Sequence, residues 1–95
     1  MKRAEILHAA EACVCGQREQ DYGSPEDNFA TIAGLWSAYL GFPLDSQDVA
    51  MMMCLLKIGR IASGTATEDS FVDLAGYAAC GGEIADKQAK EADND

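Results

Sequence analysis

Hydrophobic positions recur at helical spacing in four stretches of the chain, and strong stop signals separate them. From Lys2 to about Gln20, the residues Ile6, Leu7, Ala10, Cys13, Val14 and Gln17 follow a three-four rhythm. That rhythm predicts an amphipathic helix, weakened by Gly16 and ended by Asp21-Tyr22-Gly23. A second helix opens at Ser24-Pro25-Glu26-Asp27, with Ser as N-cap and Pro at the first helical position. Phe29, Ile32, Ala33, Trp36 and Leu40 form its stripe, and Gly41 with Pro43 stops it. A third opens at Asp45-Ser46-Gln47-Asp48 and runs through Met51-Met52-Met53 to Ile61 before Gly64. It is apolar almost all round, which predicts the central helix, touched on several sides. A fourth opens near Thr67, with Phe71, Val72, Leu74, Ala75, Ala78, Ala79 and Ile84 as its apolar positions.

The pattern predicts an all-α fold, a compact bundle of about four helices. Residues 1–85 form one domain, and the polar stretch 86–95 is a frayed or disordered tail. Trp36, Tyr39 and Phe42, with the broad apolar surface of the third segment, exceed what one small bundle can cover. A homo-oligomer is therefore expected. The Met triplet reads as adaptable core packing.

Charge narrows the partners. The chain has 95 residues and a formal net charge of −9. That balance excludes a protein that coats nucleic acid, which needs basic stripes, and one that adheres to an anionic membrane. A nucleic-acid mimic is a weaker fit, because the acids are spread along the chain and gathered in the tail. There is no apolar run of about 20 residues to span a membrane. Glu5, His8 and Glu11 break up the N-terminus, so it does not read as a secretory signal. Without such a signal, Cys13, Cys15, Cys54 and Cys80 are expected reduced. Cys13 and Cys15 point about 160° apart on a helix and do not share a metal.

Three clusters could carry chemistry. The run from Arg18 through Tyr22 to Asn28 joins a charged helix end to a Gly turn and a helix N-terminus. Amide groups there, the Arg18 fork and a stacking Tyr22 suit a phosphate or nucleotide, although Glu26 and Asp27 oppose an anion. Lys57 and Arg60 are the only charges inside the third segment. A buried cation there must be paired or kept for an anionic ligand. Asp69 and Asp73 lie one turn apart on the fourth segment, followed by Tyr77. Such a pair can hold Mg²⁺, but Asp73 can equally pair with Lys57 or Arg60. His8 has no Cys or Ser partner arrangement and reads as a surface or half-buried side chain. Gly-rich phosphate loops and nucleophile elbows are missing.

The run Arg18-Glu19-Gln20-Asp21-Tyr22-Gly23-Ser24-Pro25-Glu26-Asp27-Asn28-Phe29 resembles the signature of a family of small phage and prophage proteins. That family is catalogued as a domain of unknown function. Its other marks here are Leu35 to Leu40, Asp48-Val49-Ala50 leading to Leu56-Lys57-Ile58-Gly59-Arg60, and Asp69 to Tyr77. The resemblance covers roughly residues 4 to 85 and implies a phage origin and a host-cytoplasmic setting, with no established activity. A looser resemblance is to the MazG-like all-α nucleotide pyrophosphatases, helical oligomers that use Mg²⁺. Asp69 and Asp73 could stand for their late acidic pair. Their early Glu-x-x-Glu has no counterpart, since Met51 to Leu56 stand where acids belong.

Three functions fit. The first is an accessory protein that binds and sequesters a nucleotide through Arg18, Tyr22, Asn28, Lys57, Arg60 and Tyr77. The second is a Mg-dependent nucleoside triphosphate pyrophosphatase built on Asp69 and Asp73, with Glu26 or Asp27 as a further ligand. The third is an acidic inhibitor or scaffold that acts on a host or phage protein. No catalytic signature is complete, so binding leads over turnover.

Overall fold

The computed structural model describes residues 1–16 and 24–93. Among these residues there are four α-helices: α1 (Arg3–Cys15), α2 (Pro25–Leu40), α3 (Ser46–Ala62) and α4 (Thr67–Asp93). The helix ends follow the expected capping chemistry. Ser24 Oγ accepts the Asp27 backbone N–H at 3.3 Å at the start of α2. Gly41 closes that helix with φ 69°, a left-handed turn that favours glycine, and its N–H donates to the Ser37 carbonyl. The α2–α3 link is pinned by the Ser37 hydroxyl, which accepts the Leu44 N–H at 2.8 Å and donates to the Leu44 carbonyl at 3.2 Å. Asp45 and Asp48 form a reciprocal capping box at the start of α3.

The helices assemble around α4, and this corrects the expectation that the third segment is central. α4 packs most extensively on α3, then on α1, and touches α2. α3 packs on α4 and α2. Its inward side carries Val49, Ala50 and Cys54, all buried. Met52, Leu55 and Ile58 point away and are exposed, and Met51, also exposed, reaches its Cε back to Gly81 of α4. The all-round apolarity of α3 therefore reflects an uncovered side as well as a buried one.

α1 packs chiefly on α4, so a narrow face suffices for it. Ala10 is buried, and Ile6, Ala9 and Val14 are half-buried. Leu7 and Cys13, expected on the packed stripe, are exposed. The core is built of small side chains, and the largest fully buried ones are Val49 and Ser70. This lightness follows from close helix approach. A Cβ at Gly76 would lie 3.1 Å from Val14 Cγ1 of α1. One at Gly81 would lie 3.0 Å from Met51 Cε and 3.1 Å from Ala50 Cβ of α3. No helix among the described residues is long and apolar enough to cross a membrane.

Candidate ligand site

Close packing of α3 on α4 places two polar side chains in an apolar seam. The Cys54 thiol, whose pKa is raised by burial, donates to the Leu74 carbonyl of α4 at 3.9 Å. One turn further along α3, the Lys57 ammonium lies 3.0 Å from Asp73 Oδ2. The Lys57 side chain is 16% exposed and that of Asp73 38%. This is the cross-helix pairing anticipated for Asp73, and Lys57 is the partner. Tyr77 follows Asp73 by one turn of α4, on the same face. Its ring meets Phe29 of α2 with centroids 6.1 Å apart and planes tilted by 32°. Three helices thus contribute a cation, a carboxylate and an aromatic pair to one junction.

The other expected site residues are placed differently. Asn28 precedes Phe29 but is exposed. Arg60 is exposed near the end of α3, where its carbonyl accepts the Ser63 hydroxyl. Asp69, one turn before Asp73, is also exposed. Among the described residues no group of three His, Cys, Asp or Glu side chains is arranged to hold a metal. His8 is exposed, and no two of the four cysteines are joined in a disulfide, Cys13 and Cys15 lying at the surface and Cys54 and Cys80 buried. Arg18 and Tyr22 lie outside the described residues.

A second feature escaped the sequence reading. A small cleft of about 90 Å³ is lined by Val14, Cys15, Pro25, Glu26, Ala79, Cys80 and Glu83. Glu26 sits at the positive end of α2. Its own backbone N–H holds its carboxyl below the ordinary value of 4.5, against the opposing effect of burial. A hydrogen bond shared with Glu83, the positive charge of Lys87 and the Ser24 hydroxyl lower it further. Periodicity cannot bring Glu83 to Glu26, because the meeting depends on how α4 crosses the start of α2. Two carboxyls make this cleft unsuited to a phosphate.

Residues 5–85 match the profile of the family described as "Domain of unknown function (DUF6378)". The chain belongs to this family. It is 44% identical over 75 residues to the Gene 55 protein of Mycobacterium phage D29, covering 79% of this chain and 50% of that protein. It is 49% identical over 74 residues to the Gene 55 protein of Mycobacterium phage L5, covering 77% of this chain and 47% of that one. The chain spans about half the length of these curated relatives. No solved structure matches it.

The DUF6378 match bears out the phage-family resemblance, and it encloses Lys57, Asp73, Tyr77 and the Glu26–Glu83 cleft. The lowered Glu26 carboxyl also sets a pH dependence for this DUF6378 domain. A group with a depressed folded pKa contributes stability above its unfolded value, and that contribution fades as pH falls through the folded value. Comparing wild type with Glu26→Gln by thermal melting should show wild type higher at pH 7. The gap should be small, since the group is largely solvated, and should close on acidification below 4.5. A gap that does not narrow as pH falls below 4.5 would contradict this origin.

Proposed function

We propose that this DUF6378 protein is a phage accessory protein that binds a nucleotide or related phosphate ligand in the host cytoplasm and holds it without turnover. The observation that carries the reading is the Lys57–Asp73 pair, sunk into the α3–α4 seam one turn from the Tyr77–Phe29 rings. Such a pair is weak evidence for stability, because apolar side chains of similar volume often fill its place at no cost. It does supply a positioned charge. An ammonium has three donors, and the contact to Asp73 occupies one of them. A phosphate taking the others would be neutralised locally, while the rings offer an apolar face for a base. Arg60, one turn beyond Lys57, adds a second cation within side-chain reach of the same end of α3. Mg²⁺ would enter, if at all, with the phosphates and beside Asp69.

The test is incubation of the purified chain with a pool of nucleoside triphosphates and diphosphates plus Mg²⁺, followed by ultrafiltration. The expected result is one nucleotide depleted from the filtrate and recovered intact on denaturing the protein. An unchanged pool would overturn the proposal. Monophosphate and pyrophosphate in the filtrate would instead assign hydrolysis by water at the α-phosphate, the MazG-like reaction.

A further inference from the structure

We infer that Cys15 and Cys80 are a dithiol pair that closes to a disulfide under oxidising conditions and latches α1 onto α4. Both residues line the small cleft that Glu26 and Glu83 also line. Cys15 is exposed, and Cys80 is buried with 8% of its surface accessible.

The packing of α1 on α4 brings the two to the same end of the molecule. The Met1 ammonium lies 3.6 Å from Glu68 near the start of α4, and Val14 meets Gly76 two turns further on, so the helices run in the same direction. Glycine at position 76 lets the backbones come close, since a Cβ there would stand 3.1 Å from Val14 Cγ1. Adding the bonds on either side puts the Val14 and Gly76 Cα atoms no more than roughly 7 Å apart, at the upper edge of what a disulfide spans. Cys15 directly follows Val14, and Cys80 follows Gly76 by one turn on the same face of α4. Cys15 is also the last residue of α1, so no further helical turn holds its backbone against the small movement that closure needs.

The other cysteines are placed elsewhere. Cys54 lies in the α3–α4 seam with its thiol on the Leu74 carbonyl, and Cys13 is exposed and does not line the cleft. Packing accounts for one small apolar side chain at position 80, but not for a second thiol in the same cleft.

The step is thiol–disulfide exchange with a small disulfide, oxidised glutathione. The Cys15 thiolate attacks one glutathione sulfur, and the other glutathione leaves and takes up a proton. Cys80 then gives up its proton, its sulfur attacks the Cys15 sulfur of the mixed disulfide, and the second glutathione leaves. Two protein thiols are oxidised to one disulfide, and one glutathione disulfide is reduced to two thiols. Burial fixes the order, because glutathione reaches Cys15 at the surface and not Cys80.

The test is incubation of the full chain in an oxidising glutathione buffer, then acid quenching, alkylation and peptide mapping by mass spectrometry. No nucleotide is present, so the result is independent of the ligand proposal. The expected product is a peptide pair joined through Cys15 and Cys80, while Cys13, exposed and outside the cleft, takes up glutathione and keeps it. The link should raise the melting temperature by about 10 °C or more, and a reducing agent should reverse the rise. Cys80→Ala should hold one glutathione on Cys15, and Cys15→Ser should leave Cys80 unmodified. Cys15 lies at the surface, so Cys15→Ser keeps the fold and carries the test where Cys80→Ala does not fold. Glutathione retained on Cys15 of the wild type, Cys15 bridged to a second chain, or Cys15 left reduced would each overturn the inference. So would a Cys15→Ser variant that gains as much melting temperature on oxidation as wild type.

Discussion

Gly81→Leu should unfold the domain or leave it too unstable to purify. Gly81 is buried at a close approach of α4 to α3. Even a methyl group there would stand 3.0 Å from Met51 Cε and 3.1 Å from Ala50 Cβ. The methionine end can swing away, but Ala50 is itself buried and its Cβ is fixed to the helix backbone. A leucine must therefore push the two helices apart. Separation would strip cover from Val49, Ala50 and Cys54 together and pull Lys57 from Asp73. Overpacking costs about 1–3 kcal/mol where a core can adjust, and more where backbone must move. A domain this small holds only on the order of 5 kcal/mol in all. Urea melts followed by circular dichroism should show Gly81→Ala folded with a lowered midpoint and Gly81→Leu without a cooperative transition. A normal transition for Gly81→Leu would mean the α3–α4 seam is looser than described.

The second large effect separates the structural role of the Lys57–Asp73 pair from its proposed role in binding. Removing Asp73 strands the more buried partner, because Lys57 is 16% exposed and Asp73 is 38% exposed. Asp73→Ala should therefore cost about 2 kcal/mol and Lys57→Ala about 1, less than the 3–5 typical of a fully buried pair. The double variant Lys57→Met with Asp73→Leu removes both charges and keeps the volume, so it should melt within about 1 kcal/mol of wild type. If the pair holds a phosphate, that same variant should lose nucleotide retention by at least tenfold, about 1.4 kcal/mol of binding. Stability retained with binding lost assigns the pair to the ligand. Binding retained in the double variant would remove Lys57 from the site. Equal melting of all four proteins would show that the pair contributes nothing measurable to the fold.

The family assignment and the chemistry at the α3–α4 seam lean on different parts of the chain. The DUF6378 match rests on residues 5–85 and on two phage relatives about twice as long as the matched region. The seam rests on two residues whose pairing is spatial. The first points to a phage protein, and the second carries the proposal of what kind of molecule it could hold.

Local chemistry determined the helices. Ser24, Gly41, Asp45 and Gly64 act through their own backbone and nearest turns, so the starts of α2 and α3 and the stops at Gly41 and Gly64 were legible from the sequence. Two charges alone in an apolar helix marked Lys57 and Arg60 as needing an explanation, and a carboxylate amid apolar neighbours marked Asp73.

What the sequence left open was decided by packing. Apolarity on every side of α3 cannot say which side a neighbour covers, and the fold covered one side with α4 and part with α2. Nor can spacing say which cation Asp73 meets. The close approach at Gly81 set the register of α4 on α3, and that register brought Lys57 within 3.0 Å while leaving Arg60 in solvent. The Glu26–Glu83 contact arose the same way, from one helix crossing another far along the chain. Propensity and capping act over a few residues, whereas the pairing of side chains from different helices exists only once their axes are fixed.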